Sequence, residues 1–235
     1  MGEDGIGDWY NEYLQPIFFD IMAKIEEAVD AGEIDIVFYH IGVSFTKNTV
    51  ALLEGLKGYL RSYPVAQGMR LLMEFEADAD FLAKNPENIP RIKKKVDKCR
   101  ADFIDEKKTW RETIIESGNM HLLDDLTKED TTTKARVERV FDKDTYAFYC
   151  AYSHFNLYAI CDDSENVQTL RDTRKSNCQK VALIEFYPTI LDRFVETVNY
   201  VLKDKRISYD SSVFKENYEK LLNALLNAKI RSQDV

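Results

Sequence analysis

The sequence predicts an all-α protein, a single multi-helix bundle of seven or eight helices. Three observations carry that prediction. Apolar residues recur three or four positions apart through most of the chain, the spacing that gathers one face of a helix. Five prolines and nine glycines among 235 residues are too few to punctuate the many short strands of an all-β fold. The apolar share, 45%, is that of an ordinary globular chain, enough for one sizeable core.

Residues 1–8 are acidic and glycine-rich and read as a flexible tail; 9–235 read as one helical domain. From Trp9 to Ala31, the residues Tyr10, Tyr13, Leu14, Ile17, Ile21, Ile25 and Ala28 keep helical spacing. Pro16 marks a first turn or a kink, and Gly32 closes the segment. A second periodic run spans Ile34 to Tyr63. Its Ile36-Val37-Phe38-Tyr39 has the composition of a strand, but the continuation through Val50, Leu53, Leu56 and Leu60 favours a helix, interrupted by Gly42, Gly55 and Gly58. Pro64 suits the first turn of a third helix, which ends near Lys84, before Asn85-Pro86.

Pro90 introduces a fourth helix, about Arg91 to Glu116, closed by Ser117-Gly118. Residues 119–133 read as a loop with a helical turn near Leu122–Leu126, followed by a short helix, Lys134–Val140. Asp142 or Asp144 caps a buried helix, Thr145–Cys161, which Asp162-Asp163-Ser164 ends. Asn177 to Lys203 reads as one long helix kinked at Pro188, and Ser211 to Arg231 as the last. The third helix and the buried helix are the expected central pair.

Lys plus Arg total 32 against 41 Asp plus Glu, a net charge of −9. That balance argues against wholesale wrapping of nucleic acid or an anionic membrane, while leaving room for a local basic face. Cys99, Cys150, Cys161 and Cys178 form no Cys-x-x-Cys pair, a pattern of reduced, buried thiols in a cytoplasmic protein. The first residues lack a basic, apolar secretory leader, and no 18-residue apolar run occurs, so no membrane span is expected.

The longest uncharged stretch, Thr145–Cys161, carries Ser153, His154 and Asn156 among aromatics. Such a segment is expected to be buried on most sides, and polar groups inside it need partners. On a helix, Tyr146, Cys150, Ser153, Leu157 and Ile160 form one seam and Ala147, Ala151, His154 and Tyr158 the adjacent row. His154 then reads as a core histidine bonded to a carboxylate or carbonyl. The sharper readings are a general base or RNA contact in a cleft, or a metal ligand. Arg70 and Glu74 stand four apart on the third helix, with Asp78 continuing the row. They form either a solvated ion pair or a buried one facing the histidine.

Several catalytic patterns are missing: no phosphate-binding Gly-x-x-x-x-Gly-Lys-Ser/Thr loop, no Gly-x-Ser-x-Gly elbow and no His-Glu-x-x-His. Ser153 and His154 are adjacent, so on a helix they point about 100° apart and cannot pair as nucleophile and base. Residues 91–111 hold nine Lys or Arg against four Asp or Glu. Arg91, Lys94, Lys95 and Lys98 could meet phosphates, but acids interleave through the run and its most basic part, 91–100, holds no aromatic residue, which favours a solvated helix face.

The segment Tyr149-Cys-Ala-Tyr-Ser-His-Phe-Asn-Leu-Tyr-Ala-Ile160 resembles the Leu-Cys-x-Tyr-Ser-His-Asn-Asn-Leu segment of a bacterial family, domain of unknown function 5677. Upstream, Arg70-Leu-Leu-Met-Glu74, followed by Ala77-Asp78 and Phe81-Leu82, resembles that family's Arg-x-x-x-Glu helix. The likeness spans roughly residues 50–203 and departs at Phe155, where the family often has Asn. It implies an all-helical cytoplasmic bacterial protein in which Arg70, Glu74, Tyr152, Ser153, His154 and Asn156 form a shared polar cluster. It supplies no activity. A looser likeness links the chain to helical proteins of prokaryotic defence and toxin systems, some of them ribonucleases with four to six residues between an Arg and the His that follows it. None of His40, His121 and His154 has an Arg five to seven positions before it.

Two functions follow as expectations. One is a non-catalytic interaction module with a protein partner or a second copy of itself, in a defence or toxin–antitoxin context. The alternative is a metal-independent ribonuclease in which Arg70 holds a phosphate, His154 is the general acid–base and the basic run brings in RNA. Neither reading calls for a metal or cofactor.

Overall fold

The computed structural model describes residues 4–56, 62–90, 93, 133–153, 180–203 and 206–227, with the side chains of 62–64, 152 and 153 excepted. Every regular element among them is helical, and the protein is an all-α bundle.

Helix α1 (Asp4–Trp9) runs through a π-helical turn, Tyr10–Leu14, into α2 (Gln15–Asp30). Pro16 accounts for the wide turn. It has no N–H for the Glu12 carbonyl, and its ring crowds that carbonyl. The expected tail is therefore corrected from Asp4 onward. Ile6 and Trp9 are buried, and the Trp9 indole donates to the Asn217 carbonyl at 3.0 Å. Trp9 also packs edge-on to Tyr218, with ring centroids 5.7 Å apart. An aromatic and an aliphatic anchor outweigh the flexibility of the flanking glycines.

Asp35 starts α3 (Ile36–Gly55): its backbone is extended, and its Oδ1 accepts from the Val37 N–H at 3.0 Å. The strand-like quartet is thus the first turn of a helix, and the helix ends at Gly55, short of Tyr63. Gly42 marks the crossing with α2, since a Cβ there would lie 2.9 Å from Met22 Sδ. By length and composition α3 could cross a membrane; Phe38, Phe45, Thr49, Leu52 and Leu53 on it are buried within the protein.

Helix α4 (Ser62–Lys84) has Pro64 in its first turn, as expected, and a 3-10 turn follows at Pro86–Asn88. Next come α5 (Thr133–Val140) and α6 (Lys143–Ser153). Asp142 caps α6, accepting from the Thr145 N–H at 3.0 Å. Residues 180–184 are helical and lead by a turn into α7 (Tyr187–Leu202); α8 (Ser211–Asn227) closes the described chain. Helix α4 is the hub, packed against α3, α5, α6 and α7. The expected pairing of the third helix with the uncharged one is the α4–α6 contact. On the α3 side, Phe45 stacks on Phe194 of α7 at 3.9 Å between centroids.

Pro188 does more than kink the long helix expected from Asn177 to Lys203. The chain turns at residues 185–186, and α7 begins afresh with Pro188 in its first turn. Proline cannot donate to the Ile184 carbonyl four residues back. That carbonyl instead accepts the Tyr218 hydroxyl at 2.7 Å, and the neighbouring Leu183 carbonyl accepts the Tyr149 hydroxyl at 2.5 Å. Two buried tyrosines, from α6 and α8, thus peg the break and satisfy carbonyls that would otherwise be orphaned.

The uncharged stretch is only partly buried. Tyr146 and Tyr149 face the core, while Ala147, Ala151 and Phe148 (42% exposed) face outward. Lack of charge marked a segment free of ionic solvation; it did not distinguish a two-sided burial from a one-sided one. The helix expected over 91–116 lies outside the described residues apart from Lys93, which pairs with Asp35 at 2.6 Å. Residues 154–161 also lie outside them.

Candidate functional site

Arg70, Glu74 and Asp78 repeat every fourth residue along α4, so they stand in one row. That row faces α5 and α6, and each charge meets a partner. Arg70 Nε donates to Glu74 Oε1 at 2.8 Å, and the Tyr146 hydroxyl of α6 donates to the same oxygen at 2.8 Å. Tyr146 also bonds Cys150 one turn along its own helix. Burial, then the Glu74 charge, pushes the Tyr146 hydroxyl far above the ordinary phenol range. Burial works against the Arg70 cation, but Glu74 more than offsets it, so Arg70 stays charged. Glu74 is buried and the Arg70 side chain is 23% exposed. The pair is partly buried and not a solvated surface bridge; the histidine it was expected to face lies outside the described residues.

Asp78 continues the row to α5. Its Oδ1 accepts from Arg136 Nε at 2.8 Å. Arg136 is 1% exposed; its Nη2 donates to Thr133 Oγ1 at 3.3 Å, and its guanidinium lies 5.9 Å from the centre of the Phe81 ring. An arginine buried this deeply is stable only with its charge and its donors engaged.

A second acidic group of α4 points toward α7. Glu76 is 1% exposed, and its Oε1 accepts from Thr197 Oγ1 at 2.8 Å, while Oε2 is buried without a hydrogen-bond partner. Burial pushes its carboxyl well above the usual carboxylate range; the Thr197 hydrogen bond opposes this and Asp80 adds to it. Its ionisation is therefore displaced toward the neutral acid. An unsatisfied buried polar atom costs about 1–3 kcal/mol, so a hydrophobic residue would stabilise this fold more.

Of the residues singled out from the sequence, the structure joins Arg70, Glu74 and Asp78 into the row described. Tyr152 and Ser153 occupy the last residues of α6, with side chains outside the description. His154, Asn156, Arg91, Lys94, Lys95 and Lys98 lie outside the described residues. Sequence reasoning missed Tyr146 as the partner of Glu74, and it missed Arg136 and Glu76 altogether. Both carried a signal. Arg136 falls between Thr133 and Val140 on the inward stripe of a short helix. Glu76 sits in register with Met69, Leu72 and Ala79 on the most apolar face of α4. A charge at a core register position announces a buried partner or an unusual ionisation state.

Among the described residues, no three His, Cys, Asp or Glu side chains gather as a metal site. No protein-family model, curated protein or solved structure matches this chain.

Proposed function

We propose that this chain is a non-catalytic helical interaction module of the bacterial cytoplasm, akin to domain of unknown function 5677. It works with a protein partner or a second copy of itself, in a defence or toxin–antitoxin setting. The observation that carries the reading is the mutual engagement of Arg70, Glu74 and Tyr146. A phosphate-binding arginine presents its donors to substrate; here Nε is committed to Glu74, whose same oxygen Tyr146 also occupies. With its phenol pushed upward, Tyr146 is a poor proton donor or acceptor at neutral pH. The triad reads as a lock between α4 and α6. The alternative, a metal-independent ribonuclease using Arg70 and His154, requires Arg70 to leave Glu74.

The test is direct. Purified protein is incubated with total RNA, with and without chelator, beside folded Arg70→Ala and His154→Ala proteins. The expected result is no cleavage by any of the three. Cleavage by the parent protein that disappears in both variants would refute the module reading. Light scattering across a concentration series reads self-association in the same samples.

A further inference from the structure

Between α4, α5 and α7 lies a cleft of about 400 Å³. Glu76 lines it, with the buried, unpartnered Oε2 described above. Around it stand Asp80 and Lys84 from α4, Arg136 and Arg139 from α5, and Arg193 and Glu196 from α7. Beside Glu76, whose charged form burial disfavours, the lining presents four cations, Lys84, Arg136, Arg139 and Arg193, against two anions, Asp80 and Glu196. Two cations of the rim, Arg193 and Lys84, sit in exposed pairs. Arg193 meets Glu196 at 3.1 Å, but both side chains are more than half exposed, at 52% and 67%. Lys84 meets Asp80 at 2.6 Å with its own side chain 58% exposed. Exposed pairs of this kind contribute little and exchange readily for a better-placed anion. Arg136 differs: it is buried against Asp78 and keeps a fixed positive charge at the wall.

We propose that this cleft binds a small oxyanion, a carboxylate or a phosphate ester, held by the arginines of α5 and α7 and by a hydrogen bond from Glu76. Guanidinium groups match the paired oxygens of both chemistries. A carboxyl group adds a donor to the cleft in its protonated form, whereas the ionised form would repel the anion. The elevated ionisation range of Glu76 fits that role. The unsatisfied oxygen, otherwise only destabilising, gains a function as the ligand contact.

The full-length protein is titrated calorimetrically with sulfate as the generic probe, then with inorganic phosphate and with succinate. Saturable binding of sulfate is expected, and the tighter of the other two assigns the ligand to the phosphate or the carboxylate class. Glu76→Gln keeps a neutral donor in place and should bind sulfate as the parent does. Glu76→Leu fills the same space without a donor and should bind about tenfold more weakly, the loss of one charge-assisted hydrogen bond. The Arg139→Ala, Arg193→Ala double variant, altered only at the rim, should weaken binding by about tenfold or more. The proposal is overturned by no saturable binding of any of the three anions at millimolar concentration. It is equally overturned if Glu76→Leu or the double arginine variant binds as tightly as the parent, or if Glu76→Gln fails to bind.

Discussion

Replacing Glu76 with Gln should make the protein more stable, and by an amount that grows with pH. In the folded state the carboxyl is 1% exposed and its ionisation is pushed well above the ordinary value of 4.5, chiefly by burial. The native state therefore keeps a proton that the unfolded chain releases once pH passes about 4.5. Where the native state binds more protons, stability falls as pH rises. The stabilising contribution is complete below the unfolded value and is lost progressively up to the folded one. One proton corresponds to about 1.4 kcal/mol per pH unit, so the parent loses about that much stability for each pH unit between the unfolded and the folded ionisation of this group. A glutamine has the same shape, can accept from Thr197 Oγ1 and has no proton to lose. The two proteins should match within about 1 kcal/mol at the acid end and diverge steadily above it. For a chain of this size each kcal/mol moves the melting temperature by about 2–4 °C. Urea unfolding of both proteins at half-unit pH steps measures the difference, and every other titrating group cancels in the subtraction. A difference that stays flat with pH would refute the argument, because Glu76 would then ionise as it does in water.

The pegged break offers a second handle. Tyr149→Phe and Tyr218→Phe each leave a buried carbonyl unpaired at Pro188, at Leu183 and Ile184 respectively. Each should cost about 1–3 kcal/mol in urea unfolding; losses near zero would mean that the carbonyls find other donors. Arg136→Met should destabilise by about 3 kcal/mol, because it removes the buried guanidinium that Asp78 bonds at 2.8 Å. Adding Asp78→Leu should recover most of that loss. A double variant no more stable than Arg136→Met alone would mean that packing around Arg136, and not its charge, holds α5 to α4.

The row on α4 was legible in the sequence because Arg70, Glu74 and Asp78 recur at the spacing that stacks side chains on one helix face. Its partners were not. Tyr146 lies 72 residues from Glu74, and Arg136 lies 58 from Asp78. No local rule relates positions so far apart. The N-terminal segment misled for the opposite reason. Its acidic and glycine content suggested a solvated segment, yet Gly5, Ile6 and Trp9 are buried, and Asp8 alone of residues 5–9 is exposed. At Pro188 the residue announced a disturbance; whether the helix kinked or broke depended on donors for the freed carbonyls, and those come from α6 and α8.

The sequence by itself determined that the chain is an all-α bundle and where most of its described helices lie. Helical hydrogen bonds join residues four apart, and the apolar stripe that buries a helix repeats within each turn, so both are written locally. Only the tertiary structure decided which charges are buried and in what state. Ionisation and pairing depend on the groups that other helices bring to within about 3 Å and on the water they exclude. For that reason Glu76, one acid among many in the sequence, became the buried acid with a raised ionisation at the edge of a cleft only once α4, α5 and α7 came together.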